Sequence, residues 1–293
     1  MKYAWIREHA AAFQVAVMCR VLAVSSSGYY DWVGRTPSAR QRRREALGEA
    51  VEQAHKASKQ VYGYRKVHKD VVEDHHLDCC EETVRTIMRD KGLRAKRKRK
   101  YVVTTDSRHA LPVAENILAR AFEPDEPNQK WAADITYIRT QEGWLYLAAV
   151  MDLCGRRIVG WATSDRIDAA LVSDALHMAV RHRCPGPGLL HHSDRGSQYA
   201  SEAFQELLAV FGITCSMSRK GECWDNACME RFLGSLKGEW VGDTLYANRQ
   251  TATAAVFEYI KMFYNTKRRH AALDYMTPLQ YEAAVKKHGK LAA

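Results

Sequence analysis

The sequence contains no long hydrophobic run, which argues against a membrane-spanning protein. The most apolar early stretch, residues 10–24, is shorter than the roughly 20 residues that cross a bilayer, and Arg20 interrupts it. It also lacks a small-residue cleavage site, so we predict no secretory signal peptide. We therefore expect a cytoplasmic protein that makes no membrane contact.

A cysteine framework is missing as well. None of the eight cysteines forms a Cys-x-x-Cys pair, so reduced, mostly buried thiols are expected rather than disulfides. The run from His75 to Cys80 resembles a metal-binding string, but adjacent cysteines are poorly spaced for zinc. We interpret that run as a turn followed by the start of a helix.

The later part of the chain lacks any excess of charge, whereas the early part is strongly basic. Residues 1–120 hold 24 basic and 14 acidic residues, and residues 121–293 hold 20 of each. All of the net charge of +10 therefore lies in the first two fifths of the chain. This asymmetry indicates a nucleic-acid-binding front end joined to a neutral core, although a basic solvated surface is the simpler alternative.

Two helical modules make up the basic front end. In the first, Ser25-Ser26-Ser27-Gly28 separates two short apolar segments, a pattern typical of a helix-turn-helix with a serine N-cap. In the second, we predict helices over 41–57, from Tyr62 onward, and over 82–91, with Gly92 ending the last. Six of the seven residues from Arg94 to Lys100 are basic, and we favour DNA contact over a plain linker.

Strands and helices alternate after a linker rich in proline, aspartate and glutamate at 122–128. The first three strands have short connections and should form an antiparallel meander. The whole order predicts an α/β domain with a mixed sheet. The predicted strands are 131–138, 144–153, 156–164, 189–192 and 213–217, and the predicted helices are 168–183, 201–211 and 224–240.

Three carboxylates occupy positions that local structure does not require. Asp134 lies within a strand, where aspartate is depleted, and Asp194 directly follows the fourth strand. Glu230 lies inside the last helix of the domain among apolar neighbours. Taken singly, each has a structural explanation, as a bulge, an N-cap and a surface glutamate. Asp152, after the second strand, is a rival to Asp134 and could instead cap a turn.

The spacing and the surrounding motifs resemble a known family. Fifty-nine residues separate Asp134 from Asp194, and 35 separate Asp194 from Glu230, as in the DDE catalytic core of retroviral integrases and transposases. The motifs at 133–137, 191–199 and 218–227 are similar to those of the insertion-sequence-three family, in its second-reading-frame product, OrfB. Similar motifs at 62–65 and between Tyr264 and Pro278 extend the resemblance through most of the chain.

The resemblance implies a ribonuclease-H-like catalytic core, a mixed five-stranded sheet with flanking helices, preceded by helical, helix-turn-helix-like DNA-binding modules. It implies a DNA transposase that cleaves and joins strands of an insertion element by in-line phosphoryl transfer. Asp134, Asp194 and Glu230 would be both the catalytic residues and the ligands of two Mg²⁺ ions, with Mn²⁺ as a substitute. Carboxylate oxygens suit this ion, and no protein nucleophile is then needed.

Further residues are expected to contact DNA. Lys237 lies seven residues after Glu230 and returns to within about 20° of the same helix face, so it either holds DNA or is a solvated lysine. Trp224 is either a core residue or a wedge that stacks on a base, and we predict the core. The other expected DNA contacts are Tyr64, Arg65, Arg94, Lys96, Arg97, Lys98, Arg99, Lys100, Arg219, Lys220, Arg268 and Arg269.

The expected partners are double-stranded DNA, both element ends and target, and further copies of the chain assembled on it. Such binding would associate the protein with the nucleoid. The sequence has no leucine-zipper heptad, and the resemblance implies fusion to, or partnership with, an upstream-frame DNA-binding protein. The alternative function is a DNA-binding regulator with an inactive integrase-like core. The expected divisions are a helix-turn-helix-like segment 1–36, a helical DNA-binding module with a basic arm 37–110, a linker 111–128, the catalytic core 129–242 and a helical extension 243–293.

Overall fold

The structure, a computed structural model, describes residues 1–96, 111–242 and 244–291, without the side chains of residues 223 and 288–291. Three short helices at the N-terminus enclose a small core that includes Ile6, Met18 and Tyr29. The Ser25 hydroxyl accepts a hydrogen bond from the Gly28 amide and caps the third helix, at the predicted turn. These helices are α1 (Lys2–His9), α2 (Val15–Val21) and α3 (Ser26–Gly34).

The second module is a three-helix unit that buries aliphatic residues from each helix, including Val51, Val67 and Val84. Gly92 follows the last of these helices with a φ of +67°, a left-handed conformation that glycine adopts without steric cost. That ending was predicted. The helices are α4 (Ala39–Ala57), α5 (Tyr64–Glu73) and α6 (Glu81–Asp90), so α4 begins two residues earlier than expected.

A mixed five-stranded sheet forms the centre of the chain, as predicted. Its order is β3-β2-β1-β4-β5: the pairs β1–β2 and β2–β3 are antiparallel, and the pairs β1–β4 and β4–β5 are parallel. This is the ribonuclease-H-like arrangement. The strands are β1 (Lys130–Thr140), β2 (Gly143–Asp152), β3 (Arg157–Ser164), β4 (Leu190–Ser193) and β5 (Thr214–Met217).

Helices cover both faces of the sheet because strand residues alternate between two hydrophobic clusters. One face packs on α7 and α9, and Gly160 allows the close approach of α7, since a Cβ there would overlap the Ala175 carbonyl oxygen. The other face packs on α10 and α11. These helices are α7 (Ala169–Arg183), α8 (Ser197–Ala200), α9 (Glu202–Val210), α10 (Ala227–Leu236) and α11 (Arg249–Phe257).

The part of the chain after residue 243 packs on the core and does not extend away from it. Helix α11 contacts β1 and β2, and Val256 and Tyr259 belong to the same hydrophobic cluster as Val51 and Val67 of the three-helix unit. The predicted helix 224–240 is composite: a 3₁₀ turn at Cys223–Asn226, then α10, then a π-helical turn at Lys237–Val241. The remaining elements are a π-helical segment Glu258–Tyr264, a 3₁₀ turn Ala271–Leu273 and α12 (Pro278–Leu291).

Glu282 fastens α12 to the sheet through buried ion pairs. Its carboxylate lies 2.8 Å from Arg157 of β3 and 2.7 Å from Arg183 at the end of α7. Burial alone would raise the pKa of Glu282, but hydrogen bonds from Arg157, Lys286 and Arg183 outweigh it and lower the pKa to about 2. The ionised carboxylate therefore stabilises the folded chain.

We expect Glu282→Gln to lower the free energy of unfolding by about 2–3 kcal/mol at pH 7, since each pKa unit corresponds to about 1.4 kcal/mol. The folded-state pKa lies below the ordinary 4.5, so this stability is present above pH 4.5 and is lost as the pH falls towards 2. Urea unfolding at pH 7 and at pH 3 measures the difference between variant and parent. A difference that stays constant with pH would contradict this, and Glu206→Gln, an exposed carboxylate of α9, is the control.

Within the described part of the chain, no helix is both long enough and apolar enough to cross a membrane.

Candidate active site

Asp134 and Asp194 occupy matching positions on neighbouring parallel strands. Strands β1 and β4 pair in parallel with Ala132 opposite His192, and each aspartate comes two residues later. Both side chains line one cleft of about 480 Å³, at the end of the sheet where β4 finishes. Two carboxylates with 59 residues between them in the sequence are therefore brought together by strand pairing.

The electrostatics of Asp134 reflect this crowding. Burial is the main factor that raises its pKa well above the ordinary value, and the negative charges of Asp194 and Glu230 raise it further. A hydrogen bond from the Ile135 amide and the positive charge of Lys237 act in the opposite direction. A positive ion between the carboxylates would relieve the repulsion, so this pair favours cation binding.

Glu230 reaches the site from α10. The start of this helix is fixed to β1 by Asn226, whose buried side-chain amide donates to the Ala133 carbonyl oxygen at 3.0 Å. Glu230 follows one turn later, and its side chain is exposed and borders a second, larger cleft. Burial raises the pKa of Glu230. The third carboxylate is therefore beside the pair but turned towards solvent.

The donor chemistry fits a hard divalent cation, although the ligand set is incomplete as placed. Asp134 and Asp194 present carboxylate oxygens, the ligands that Mg²⁺ prefers. Asp194 Oδ1 accepts a hydrogen bond from the Gly196 amide at 3.0 Å, which orients that carboxylate. Among the residues that the structure describes, no three His, Cys, Asp or Glu side chains lie close enough to share one ion.

Lys237 faces the same site from the π-helical turn after α10. Its ammonium lies 4.3 Å from the centre of the Tyr137 ring, a cation–π contact. Burial lowers the pKa of Lys237 to about 8, and the charge of Asp134 acts against that shift. The half-buried side chain does not have the environment of a solvated helix lysine.

Asp152, the alternative to Asp134, does not line this cleft, and its carboxylate is held by hydrogen bonds and an ion pair. It pairs opposite Trp131 at the start of β1 and is 1% exposed. Its oxygens accept from the amides of Asn128 and Cys154 and pair with Arg183. Asp152 therefore closes a loop and anchors the end of α7.

The two histidines before Asp194 are part of the scaffold. Both ring nitrogens of His192 lie within hydrogen-bond distance of serine hydroxyls, Ser216 at 2.9 Å and Ser218 at 3.1 Å. His191 is buried against the rings of Tyr199 and Phe204, and burial lowers its pKa to about 3. These contacts link β4 to β5 and α9 behind the carboxylates.

Sequence reasoning missed the part that Asp225 plays. This carboxylate is fully buried, and it pairs with Arg219 at 2.9 Å and with Arg120 at 2.8 Å. Hydrogen bonds from Arg219 are the largest influence on its pKa and lower it far below the usual range. The network connects the linker before the core to the turn that precedes α10, the helix that carries Glu230. An aspartate next to Asn226 at the start of a predicted helix was the available signal.

Several predicted DNA-contact residues lie at the surface. Tyr64 is half-buried, and the exposed Arg65 stacks on its ring with 5.6 Å between guanidinium carbon and ring centre. Arg94, Lys96 and Lys220 are exposed, and Arg219 stays 55% exposed while it pairs with Asp225. Arg97, Lys98, Arg99 and Lys100 lie outside the described residues.

Arg268 and Arg269 do not fit the expectation of DNA contact. Arg268 is 8% exposed and makes a two-pronged ion pair with Glu239, and Arg269 is 4% exposed and pairs with Asp70 and two further carboxylates of α5 and its C-terminus. Burying a guanidinium is costly unless carboxylates compensate it, and here they do. Trp224, expected in the core, is instead 67% exposed.

Comparisons with known proteins agree with this architecture. Two profiles, both described as an integrase core domain, match residues 124–223 and 211–278. A profile described as an HTH-like domain matches residues 42–101, the module of α4 to α6.

The transposase InsF of insertion sequence IS3A from Escherichia coli is 43% identical over 96% of this chain and 98% of its own length. An uncharacterized 31 kDa protein of insertion element IS600 from Shigella sonnei is 42% identical over 94% of this chain and its own full length. The chain belongs to the IS3 family of insertion-sequence transposases. The resemblance inferred from the motifs is confirmed.

Solved structures with related folds are more distant from this transposase. The intasome of simian T-cell lymphotropic virus, in complex with a PP2A regulatory subunit, gives a TM-score of 0.46 at 15% identity over 79% of this chain and 74% of that chain. The HTLV-2 integrase catalytic core in complex with magnesium gives 0.42 at 17% identity over 54% of this chain and 97% of that chain.

Proposed function

We propose that this transposase cleaves the ends of its insertion element and joins them to target DNA, with Asp134, Asp194 and Glu230 as the catalytic residues. The observation that supports this most strongly is the register of β1 and β4, which sets Asp134 and Asp194 side by side in one cleft. The charge of Glu230 acts on the same carboxylate. Two carboxylates held this close repel each other, and titratable groups perturbed in this way cluster at functional sites.

In this proposal the three carboxylates hold two Mg²⁺ ions, with Mn²⁺ as a substitute, after Glu230 turns towards the aspartates. When bound, the ions would activate the attacking oxygen and stabilise the departing 3′-oxygen. Water attacks the phosphorus at the element end and the bond to the 3′-oxygen breaks. The freed 3′-hydroxyl then attacks the phosphorus of a target phosphodiester, which joins the element end to the target 5′-phosphate while the bond to the target 3′-oxygen breaks and a target 3′-hydroxyl leaves. The chain's residues position and balance charge, and none becomes covalently attached to DNA.

Lys237 is proposed to hold a DNA phosphate next to these carboxylates. Its ammonium stands over Tyr137 and within the field of Asp134, so it is already directed at the site. Tyr64, Arg65, Arg94, Lys96, Arg219 and Lys220, together with residues 97–100, are proposed as further DNA contacts. Arg268 and Arg269 are not, because protein carboxylates occupy them.

The functions that we propose for the parts of the chain follow the predicted domains. Residues 37–110 would supply DNA binding, and residues 129–242 the chemistry. Residues 243–293 would support the core, since α11 packs on β1 and β2. We also propose that the chain assembles with further copies on DNA and works with an upstream-frame DNA-binding segment.

The test is nicking of a labelled duplex that carries an element end. We expect single-strand cleavage in Mg²⁺ or Mn²⁺ and none in EDTA, because the carboxylates alone cannot activate water. Nicking should return when Mg²⁺ is added back in excess. Binding of the same duplex without cleavage under every metal condition would support the alternative, a DNA-binding regulator with an inactive core.

A further inference from the structure

A second cleft of about 1000 Å³ adjoins the active site on the Glu230 side. It lies between α5 of the HTH-like domain, the turn between β2 and β3, α10 and the loop at 270–272. Glu230 borders it, so the cleft leads directly away from the carboxylates. Lys66 of α5, from the module that matches an HTH-like domain, also lines it.

Positive charge converges on this cleft from three separate elements. Lys66 of α5, Arg156 of the β2–β3 turn and Arg231 of α10 all line it, and Glu230 is the acidic residue among its described lining. Their fields act on His270 at the cleft wall, whose pKa is lowered to about 2, first by burial and then by these cations and Arg268. Lys237 and Arg268 line the cleft as well, and Arg268 is paired with Glu239.

Arg156 is held in an unfavourable backbone conformation. It has a φ of +53° in the turn between β2 and β3, the left-handed region that favours glycine. Its guanidinium contacts the thiol of Cys228 on α10. Arg156 lines the cleft from this turn, and backbone strain of this kind is common where a side chain has a function.

An exposed aromatic residue completes the surface. Trp224 lines the cleft beside Arg231 and α10 and is 67% exposed. Basic groups that follow a groove, with an aromatic ring on which a base can stack, are typical of sites for a nucleic-acid strand. Packing within the described part of the chain does not explain why so large an apolar side chain is exposed.

We infer that this cleft binds the phosphate backbone of the DNA strand next to the scissile phosphate, with Arg156 and Arg231 as phosphate contacts and Trp224 stacking on an unpaired base. The inference rests on the proposed function, because the strand enters the active site at Glu230. Lys66 would continue the same path into the HTH-like domain. The DNA could belong to the element end or to the target, which share this chemistry.

The test measures binding in EDTA, so that it does not depend on cleavage. In salt titrations with an element-end duplex, we expect Arg156→Gln and Arg231→Gln each to flatten the log–log slope by about 0.9, the value for one lost phosphate contact. Trp224→Ala should lower the affinity for an end with unpaired bases about fivefold or more, and the affinity for a blunt duplex less. Arg181→Gln, an exposed arginine of α7 on the other face of the sheet, should change neither quantity.

Binding is measured with two duplexes, one that carries an element end and one of unrelated sequence, to identify which DNA supplies the strand. If the variants change the salt slope for the element-end duplex alone, the cleft binds the element end. If they change the slope for an unrelated duplex alone, the cleft binds the target. Changes with both duplexes support a path that both DNAs share. Unchanged slopes with both duplexes in a folded double variant, Arg156→Gln with Arg231→Gln, would overturn the inference. Failure of the proposed function would look different, as absent nicking in Mg²⁺ while these binding effects persist.

Discussion

Asp134→Asn, Asp194→Asn and Glu230→Gln are each expected to abolish both cleavage of an element end and strand joining. Each substitution keeps the shape of the side chain and removes one negative charge from the proposed site of two divalent cations. Because the chemistry depends on positioning and charge stabilisation, losing one ligand should remove the reaction and not merely slow it. DNA binding should persist or tighten slightly, since a charge that repels phosphate has gone. The measurement is cleavage of a labelled end in Mg²⁺, with binding measured in parallel.

Matched substitutions separate the site from general effects of charge. Asp174→Asn on α7 and Glu206→Gln on α9 alter exposed carboxylates far from the cleft and should cleave at the parental rate. Asp152→Asn should reduce stability, because Asp152 pairs with Arg183, while the folded fraction still cleaves. Parental cleavage by Glu230→Gln together with a folded but inactive Asp152→Asn would show that the metal site is assigned to the wrong residues.

The sheet and the positions of the carboxylates could be predicted because their signals are local. Alternating apolar residues mark β1, β2 and β3 within a few residues of their ends, and a four-residue buried run marks β4. The spacing of Asp134, Asp194 and Glu230, with its motifs, identified a family. The register of β1 with β4, which brings Asp134 to Asp194, depends on pairing between strands that are distant in sequence. The hydrophobic periodicity of the sequence does not predict that register.

Partners of buried charges could not be predicted, because they come from distant parts of the chain. Arg269 pairs with Asp70, 199 residues away, and Arg268 pairs with Glu239, 29 residues away. In the sequence both arginines are indistinguishable from surface arginines that bind phosphate. The exposure of Trp224 was missed for a similar reason, since a tryptophan beside apolar residues is usually buried and only the packing of α10 shows otherwise.

The ion pair of Arg268 with Glu239 has the largest expected effect on stability. Glu239 lies in the π-helical turn after α10, and both its oxygens accept from Arg268, at 2.6 and 2.7 Å. Burial alone would lower the pKa of Arg268, but the hydrogen bonds to Glu239 more than reverse this, so the buried guanidinium is charged. Glu239→Gln leaves that charge without a counter-ion. We expect the free energy of unfolding to fall by about 3–5 kcal/mol, the usual cost of breaking a buried pair.

Glu258→Gln is the control for this prediction, because Glu258 pairs with Lys59 at 3.0 Å while about half of each side chain is exposed. Exposed pairs contribute at most about 1 kcal/mol, so its effect on urea unfolding should be small. Equal, small effects of the two variants would mean that Arg268 is not buried in solution. Its guanidinium would then be accessible to phosphate, and a steeper salt dependence of DNA binding by Glu239→Gln would restore Arg268 as a DNA contact.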